Sequence, residues 1–349
     1  MKFTFTNLLL LIFLVVNINA QEVKLSHVAG KVYDSETGAP LVGASVYFAQ
    51  TTIGTYAKTG GAYSIDILKG GSYELVVSMV GYEIQRKNIF VTAGKNYEYN
   101  FKLTPHPVEL SQVDVEGKVE SDWERNYEYF KNNFLGRTPL SGFCEIQDAE
   151  YINFKWEGNV LTANDPKPIT VINKYLGYKI ICMLLHYSYD HETTKSDFSI
   201  SPRYVELTPE NEEQKNEWIE NRLDVYLGSP EHFLWALKHN RLKEEKFSAF
   251  FISSPNSKEV TTRPVESMND ILYEEQFGAD PVLYFPDYLK VEFCSQRTSY
   301  IQMKVSFFII DNDGITNDHL PFLCIGYWGE FGLANMLPRD YLSEIIKNK

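Results

Sequence analysis

Between residues 27 and 103, apolar side chains recur at every second position, and each run stops at glycine or proline. No other feature constrains the fold of this chain as strongly. A period of two sends alternate side chains to opposite faces of a strand, and the punctuation keeps each strand short. HVAGKVYD (27–34) alternates, and DSETGAP (34–40) carries turn chemistry, with Thr37-Gly38 at the reversal. Pro40 cannot donate to a ladder, so it belongs at a turn or a strand edge. In GASVYFA (43–49), Ala44, Val46 and Phe48 oppose Ser45 and Tyr47. GAYSIDI, SYELVVSMVGY and KNIFVTAGKNYEYNFKL repeat the device. Short strands at this spacing predict a small antiparallel sandwich. Leu41, Val46, Tyr63 and Val76 would fill the space between its sheets, and Gly38, Gly54 and Gly61 would supply backbone freedom at reversals.

Three stretches carry a more specific signal: GKVYDSETGAPLVGASVYF, GTYAKTGGAYSI and LVVSMVGYE. Together they resemble the carboxypeptidase-like regulatory domain, a transthyretin-like fold of about seven strands. The matching positions are Gly30, Val32, Asp34, Thr37, Gly38, Pro40, Leu41, Gly43, Ala44, Val46, Gly54, Gly61, Tyr63, Ser78, Gly81 and Tyr82. The acidic turn usual before the third-strand glycine is replaced by KTGG, which puts the turn geometry in question rather than the fold. The resemblance implies an accessory module, found beside catalytic domains or ahead of TonB-dependent outer-membrane transporters, that hydrolyses nothing itself.

Residues 1–20 read as a secretory signal. Lys2 precedes the apolar run Leu8 to Val16, which is short for a bilayer span, and Asn17, Asn19 and Ala20 lead to cleavage between Ala20 and Gln21. No cysteine follows the run, so lipid attachment is not indicated. The mature chain carries 32 basic and 46 acidic residues, a formal charge of −14. Such a chain is repelled by phosphate backbones and anionic lipid. Nucleic-acid binding is therefore not expected, and membrane association would come only through partners. Export permits disulfides, yet Cys144, Cys182, Cys294 and Cys324 are widely spaced and form no zinc-like pair. Cys182 and Cys324 sit in the apolar runs IICMLL and FLCIGY, which favours buried thiols.

Residues 104–119 have linker composition, and the pattern changes beyond them. Ser121 and Glu124 form a capping box ahead of a helix with Trp123, Tyr127, Phe130 and Phe134 on one face, closed by Gly136. Strand-like runs follow, with a hairpin at Gly158-Asn159. A helix pair comes next. Thr208 and Pro209 would open its first member, with Trp218, Leu223 and Tyr226 facing a core, and Gly228 would close it. Ser229 and Pro230 restart the second, with Phe233, Leu234 and Leu237 inward. Strands return in SYIQMKVSFFIIDNDG and PFLCIGYWGEFG, and Pro338 opens a final helix. The expected architecture is an all-β transthyretin-like sandwich followed by an α+β domain over 120–349. NRLDVYLGSPEHFLWAL, FPDYLKVEF and IGYWGEFGLANMLPRDY also resemble exported Gram-negative envelope proteins that pair such a module with an uncharacterised C-terminal region.

Chemistry-bearing residues are sparse. His106-Pro107-Val108-Glu109 has the His-x-x-Glu spacing of a carboxypeptidase zinc site, but Pro107 stiffens it and its surroundings are linker, so no metal is expected there. His186 and His191 are five residues apart and suit a structural role. DNDG (311–314) lacks the full calcium-loop spacing and reads as a hairpin turn. Arg222, Tyr226, Ser229 and His232 gather around one turn and could supply a base and a nucleophile, although no GxSxG elbow surrounds Ser229 and capping explains it. Tyr327, Trp328, Arg339, Asp340 and Tyr341 combine aromatic faces with polar grip, as sugar or peptide contact requires. These features favour a non-enzymatic envelope protein of binding or assembly without a cofactor, whose partner is an envelope protein, a peptide or a glycan. It would lie in the periplasm or at the outer membrane. The alternatives are a hydrolase with its site in 120–349 and an accessory of TonB-dependent transport.

Overall fold

In the computed structural model, which describes residues 25–106, 120–165, 167–255, 263–273, 281–310 and 322–342, the N-terminal strands build two facing sheets. In one, β1 (Ser26–Asp34) pairs antiparallel with β4 (Ala62–Ile67) and in parallel with β7 (Asn96–Glu98) and β8 (Phe101–Leu103). The other has the order β3 (Gly54–Tyr56), β2 (Ser45–Phe48), β5 (Gly71–Ser78), β6 (Gln85–Val91). The expected sandwich is present, but it is mixed rather than antiparallel. The chain crosses to the second sheet through β5 and β6 before returning, and a connection of that length permits parallel pairing.

The motif residues of the first turn have a physical role. The Asp34 carboxylate accepts from the backbone N–H groups of Thr37 (2.8 Å) and Glu36 (2.9 Å), and the Tyr82 hydroxyl donates to it at 2.9 Å. The Thr37 N–H and then the Tyr82 hydroxyl hold that carboxyl below its ordinary pKa. Gly38 and Gly61 adopt the positive φ expected at reversals, 70° and 71°. Gly54 does not. It lies in a strand, where a Cβ would come within 2.7 Å of the Tyr47 Cβ, so close approach rather than turn geometry requires it.

Val76 also departs from expectation. Val46 pairs with Val77 and Tyr47 with Val76, so Val46, Leu75 and Val77 face the sandwich core while Tyr47 and Val76 face out of it. They are nonetheless buried, 3% and 0% exposed, in a separate small cluster with Ala49. What covers them is the next part of the chain. The Tyr47 hydroxyl donates to Ser201 O, and the Ser201 hydroxyl donates to the Glu74 carboxylate.

That next part begins with α1 (Glu120–Phe134), one residue ahead of the expected cap Ser121. Its aromatic face packs as the spacing predicts: Phe130 and Phe134 are fully buried, and Trp123 stacks on Tyr127. The helix covers a six-stranded sheet of order β10 (Asn153–Glu157), β11 (Val160–Asn164), β13 (Tyr178–Asp190), β12 (Ile169–Asn173), β9 (Cys144–Gln147), with β14 (Lys195–Glu206) also paired to β13. The hairpin at Gly158 forms as expected, and β13 and β14 make one long ribbon.

α2 (Glu212–Tyr226) starts later than Thr208 and Pro209 suggest, because the Asn211 side chain accepts from Gln214 N–H at 2.9 Å and caps it there. Its buried face is Trp218, Arg222, Val225 and Tyr226, whereas Leu223 is 40% exposed. Arg222 takes the inward place because its hydrogen bonds are made: to Leu176 O at 2.8 Å and to Glu206 at 2.7 Å, with its guanidinium on the Tyr178 ring. After Gly228, Ser229 caps α3 (Pro230–Lys238) as expected.

α3 packs into a further core built on β15 (Phe247–Ile252), β19 (Tyr288–Phe293), β20 (Arg297–Met303) and β22 (Phe322–Gly326) of a five-stranded sheet that β16 (Arg263–Pro264) completes. β17 (Leu272–Tyr273), β18 (Val282–Leu283) and β21 (Phe308–Ile309) form a small separate sheet. The described residues are thus chiefly β-sheet, and the helical part of the C-terminal region comprises α1, α2, α3 and the turn of helix at residues 339–342 that Pro338 was expected to open. Among the described residues the region has two large cores, centred on β13 and on β19–β20. All four cysteines are free: Cys182 is buried, Cys144 and Cys324 are half-buried and Cys294 is exposed.

Candidate functional site

The turn between β2 and β3 joins the sandwich to the rest of the chain. Gln50 N–H donates to Pro202 O at 2.7 Å, Tyr204 N–H donates to Thr51 O at 3.0 Å, and Arg203 reaches Ser45 Oγ at 2.7 Å. The segment after Pro338 closes the joint. Arg339 N–H donates to Gln50 O at 2.8 Å and its guanidinium donates to Ser72 O. Asp340 accepts from both the backbone N–H and the hydroxyl of Thr52, while burial raises its pKa.

The five residues expected to form one contact group are therefore divided. Arg339 and Asp340 hold the sandwich. Tyr341 lies 5.2 Å from the Arg222 guanidinium, against α2. Tyr327 receives the Arg297 guanidinium over its ring. Trp328 is buried, and its indole N–H donates to Gly228 O at 2.8 Å.

Trp328 and Arg339 share something else. Both line a cavity of about 240 Å³ where the sandwich joint, the long ribbon and the second core meet. Its walls include Asn132 and Asn133 from α1, Phe198 and Tyr204 from β14, Glu231 and Leu234 from α3, and Phe322 and Cys324 from β22. Two ion pairs stand beside it, Lys304 with Asp197 at 2.5 Å and Arg137 with Glu330 at 2.7 Å.

Glu231 is the half-buried acid of this site. Part of its surface opens to the cavity while the group lies deep among protein atoms, and that desolvation raises its pKa against the opposing bonds of its own N–H and the Ser229 hydroxyl. Burial pushes the Cys324 thiol up to about 12, so it stays protonated at neutral pH and is no ready nucleophile. The folded state thus holds the Glu231 proton more tightly than the unfolded chain does. Stability should fall as pH rises above the ordinary glutamate value of 4.5 towards the folded one. Glu231→Gln should flatten that part of the profile, so that its melting temperature drops less than wild type's between pH 5 and pH 8.

The polar cluster near Ser229 does not form a nucleophile–base pair. Ser229 Oγ accepts from the backbone N–H of His232. The His232 ring points elsewhere: Nδ1 accepts from Gly228 N–H at 3.0 Å and Nε2 meets Glu245 at 3.0 Å. His106 N–H donates to Gly81 O and its ring lies 4.0 Å from Glu83, while Glu109 lies outside the described residues. So does DNDG (311–314). Among the described residues no group of three or more His, Cys, Asp or Glu could hold a metal ion. His186 is exposed beside Ser188, and His191 packs on Tyr129, Trp156 and Tyr189.

Residues 28–115 match the CarboxypepD_reg-like domain. No curated protein matches the chain. Solved structures with some likeness include 3-chlorocatechol 1,2-dioxygenase from Rhodococcus opacus 1CP (11% identity, 24% of this chain and 60% of that one, TM-score 0.19). A group B streptococcus pilus 2b backbone protein is 16% identical over 23% of this chain and 41% of that one, TM-score 0.19. A protein from Bacteroides uniformis ATCC 8492, provisionally described as carbohydrate binding, is 10% identical over 86% and 98%, TM-score 0.20. The chain spans less than two thirds of the first two. Likeness at this level assigns no ligand.

Proposed function

We propose that this chain is a non-enzymatic protein of the cell envelope that binds a small ligand, or a terminal group of a larger one, in the cavity at the sandwich joint. The observation that carries this reading is the composition of the cavity wall. Gln50 and Arg339, which bond each other across the joint, both line it, so the regulatory-like module helps build the site rather than hanging beside it. Aromatic and aliphatic walls with a few converging polar groups are what small-ligand sites have in common. The envelope address rests on the signal-like residues 1–20 and on the resemblance of the module. A peptide or a glycan fits the mixture of amides, ion pairs and rings.

The test is calorimetric titration of the mature chain against a panel of short peptides and mono- and oligosaccharides, with mass analysis of each mixture. Saturable binding is expected, weakened at least tenfold by Leu234→Phe, which adds bulk to the cavity wall, with every panel member recovered intact. Conversion of a panel member by wild type, lost in Leu234→Phe, would overturn the reading in favour of a hydrolase.

A further inference from the structure

Four of the charged groups at the cavity are matched in ion pairs. Lys304 pairs with Asp197, Arg137 pairs with Glu330, and Arg339 donates to Ser72 O. Glu231 has the Ser229 hydroxyl and its own backbone N–H, and its place at the start of α3 puts it at the positive end of the helix dipole. Among the described residues, no lysine or arginine pairs with it. A half-buried carboxylate without a cation is costly. A positive group brought by a ligand would remove that cost and gain a charge-assisted hydrogen bond.

The rest of the cavity narrows what that positive group is attached to. Trp328, Phe198 and Phe322 supply ring and apolar surface on the same walls, and aromatic faces attract cations. The volume, about 240 Å³, exceeds the roughly 150 Å³ that accommodates a benzene ring, so one amino-acid side chain or one sugar ring fits. A bare metal ion is a poor match, since no group of three or more His, Cys, Asp or Glu among the described residues could hold one. The chain's formal charge of −13 raises the local concentration of cations in general.

We propose that the cavity binds a small organic amine, a primary ammonium on an apolar or sugar-ring body, with the ammonium on the Glu231 carboxylate. This deepens the binding reading above and rests on it. An amino-acid amide and an amino sugar both carry the required group, and the experiment separates them.

Full-length mature protein is titrated calorimetrically with leucinamide, N-acetyl-leucinamide, glucosamine and N-acetylglucosamine. At least one free amine should bind tenfold or more tightly than its acetylated counterpart. The better of the two amines names the source, peptide-like or sugar-like. Glu231→Gln should lose at least tenfold in amine affinity and Glu231→Asp should retain part of it, with circular dichroism and melting confirming that both variants are folded. Equal binding of amine and acetylated forms, or undiminished binding by folded Glu231→Gln, would overturn the assignment. If both amines fail while another small ligand binds in a Leu234→Phe-sensitive manner, the amine assignment falls and the binding reading stands. If nothing binds, both fall.

Discussion

Gly228→Ala should lower the unfolding free energy by about 2–5 kcal/mol, read from denaturant curves. Two costs add. Gly228 has φ = 81°, in the left-handed region, which costs an L-residue roughly 1–2 kcal/mol. A Cβ there would also lie 2.6 Å from the Phe293 ring, and overpacking of that kind costs roughly 1–3 kcal/mol. The ring cannot easily retreat, because Phe247 packs on it at 4.9 Å between centroids. Gly228 also holds its neighbours through its backbone: its N–H donates to His232 and its carbonyl accepts from Trp328. A shift at this turn would therefore reach the cavity wall. Gly158 provides the control, since it too has positive φ, 62°, but open space where the Cβ would go. Gly158→Ala should show the backbone cost alone, and an equal loss in the two variants would refute the packing account.

His232→Ala should cost about 2–5 kcal/mol, since stranding a buried hydrogen-bonding group costs roughly 1–3 kcal/mol and the cavity left by a large buried side chain adds to it. The ring is 1% exposed. Because Nδ1 accepts from Gly228 N–H, the proton of the neutral ring sits on Nε2, directed at Glu245. Glu245 in turn meets Arg241 at 3.3 Å. Removing the ring strands the Gly228 N–H, takes a partner from a half-buried carboxylate, and opens a gap beside Tyr226, Phe247 and Phe293. Thermal melting in parallel with ligand titration checks this. If the melting temperature were unchanged while a turnover disappeared, His232 would be acting on a substrate and not on the fold.

These two residues show how far local patterns carry. The turn at Asp34 to Pro40, the hairpin at Gly158 and the Ser229-Pro230 restart were all readable, since each is settled by residues three or four apart. The same short-range logic erred where two signals competed. Thr208-Pro209 looked like a helix start, yet Asn211 captured Gln214 N–H and took the cap. Gly54 looked like a turn glycine and proved to be a strand glycine pressed on Tyr47.

Orientation was harder to read than structure type. Tyr47 and Val76 alternate correctly, but a period of two says only that two faces exist, not that both are covered. β14 covers the second face, and it lies more than a hundred residues away. Leu223 is more apolar than Arg222, yet Arg222 is the buried one, because Leu176 O, Glu206 and the Tyr178 ring were already in place to receive it.

Strands, turns and caps follow from neighbours along the chain, whose energies depend on φ, ψ and a few nearby hydrogen bonds, so the order of residues is enough to specify them. The cavity and its unpaired acid do not follow in that way. Gln50, Glu231, Cys324 and Arg339 come from segments far apart in sequence, and burial, which raises the Glu231 pKa, is a property of the packed surroundings and not of the residue.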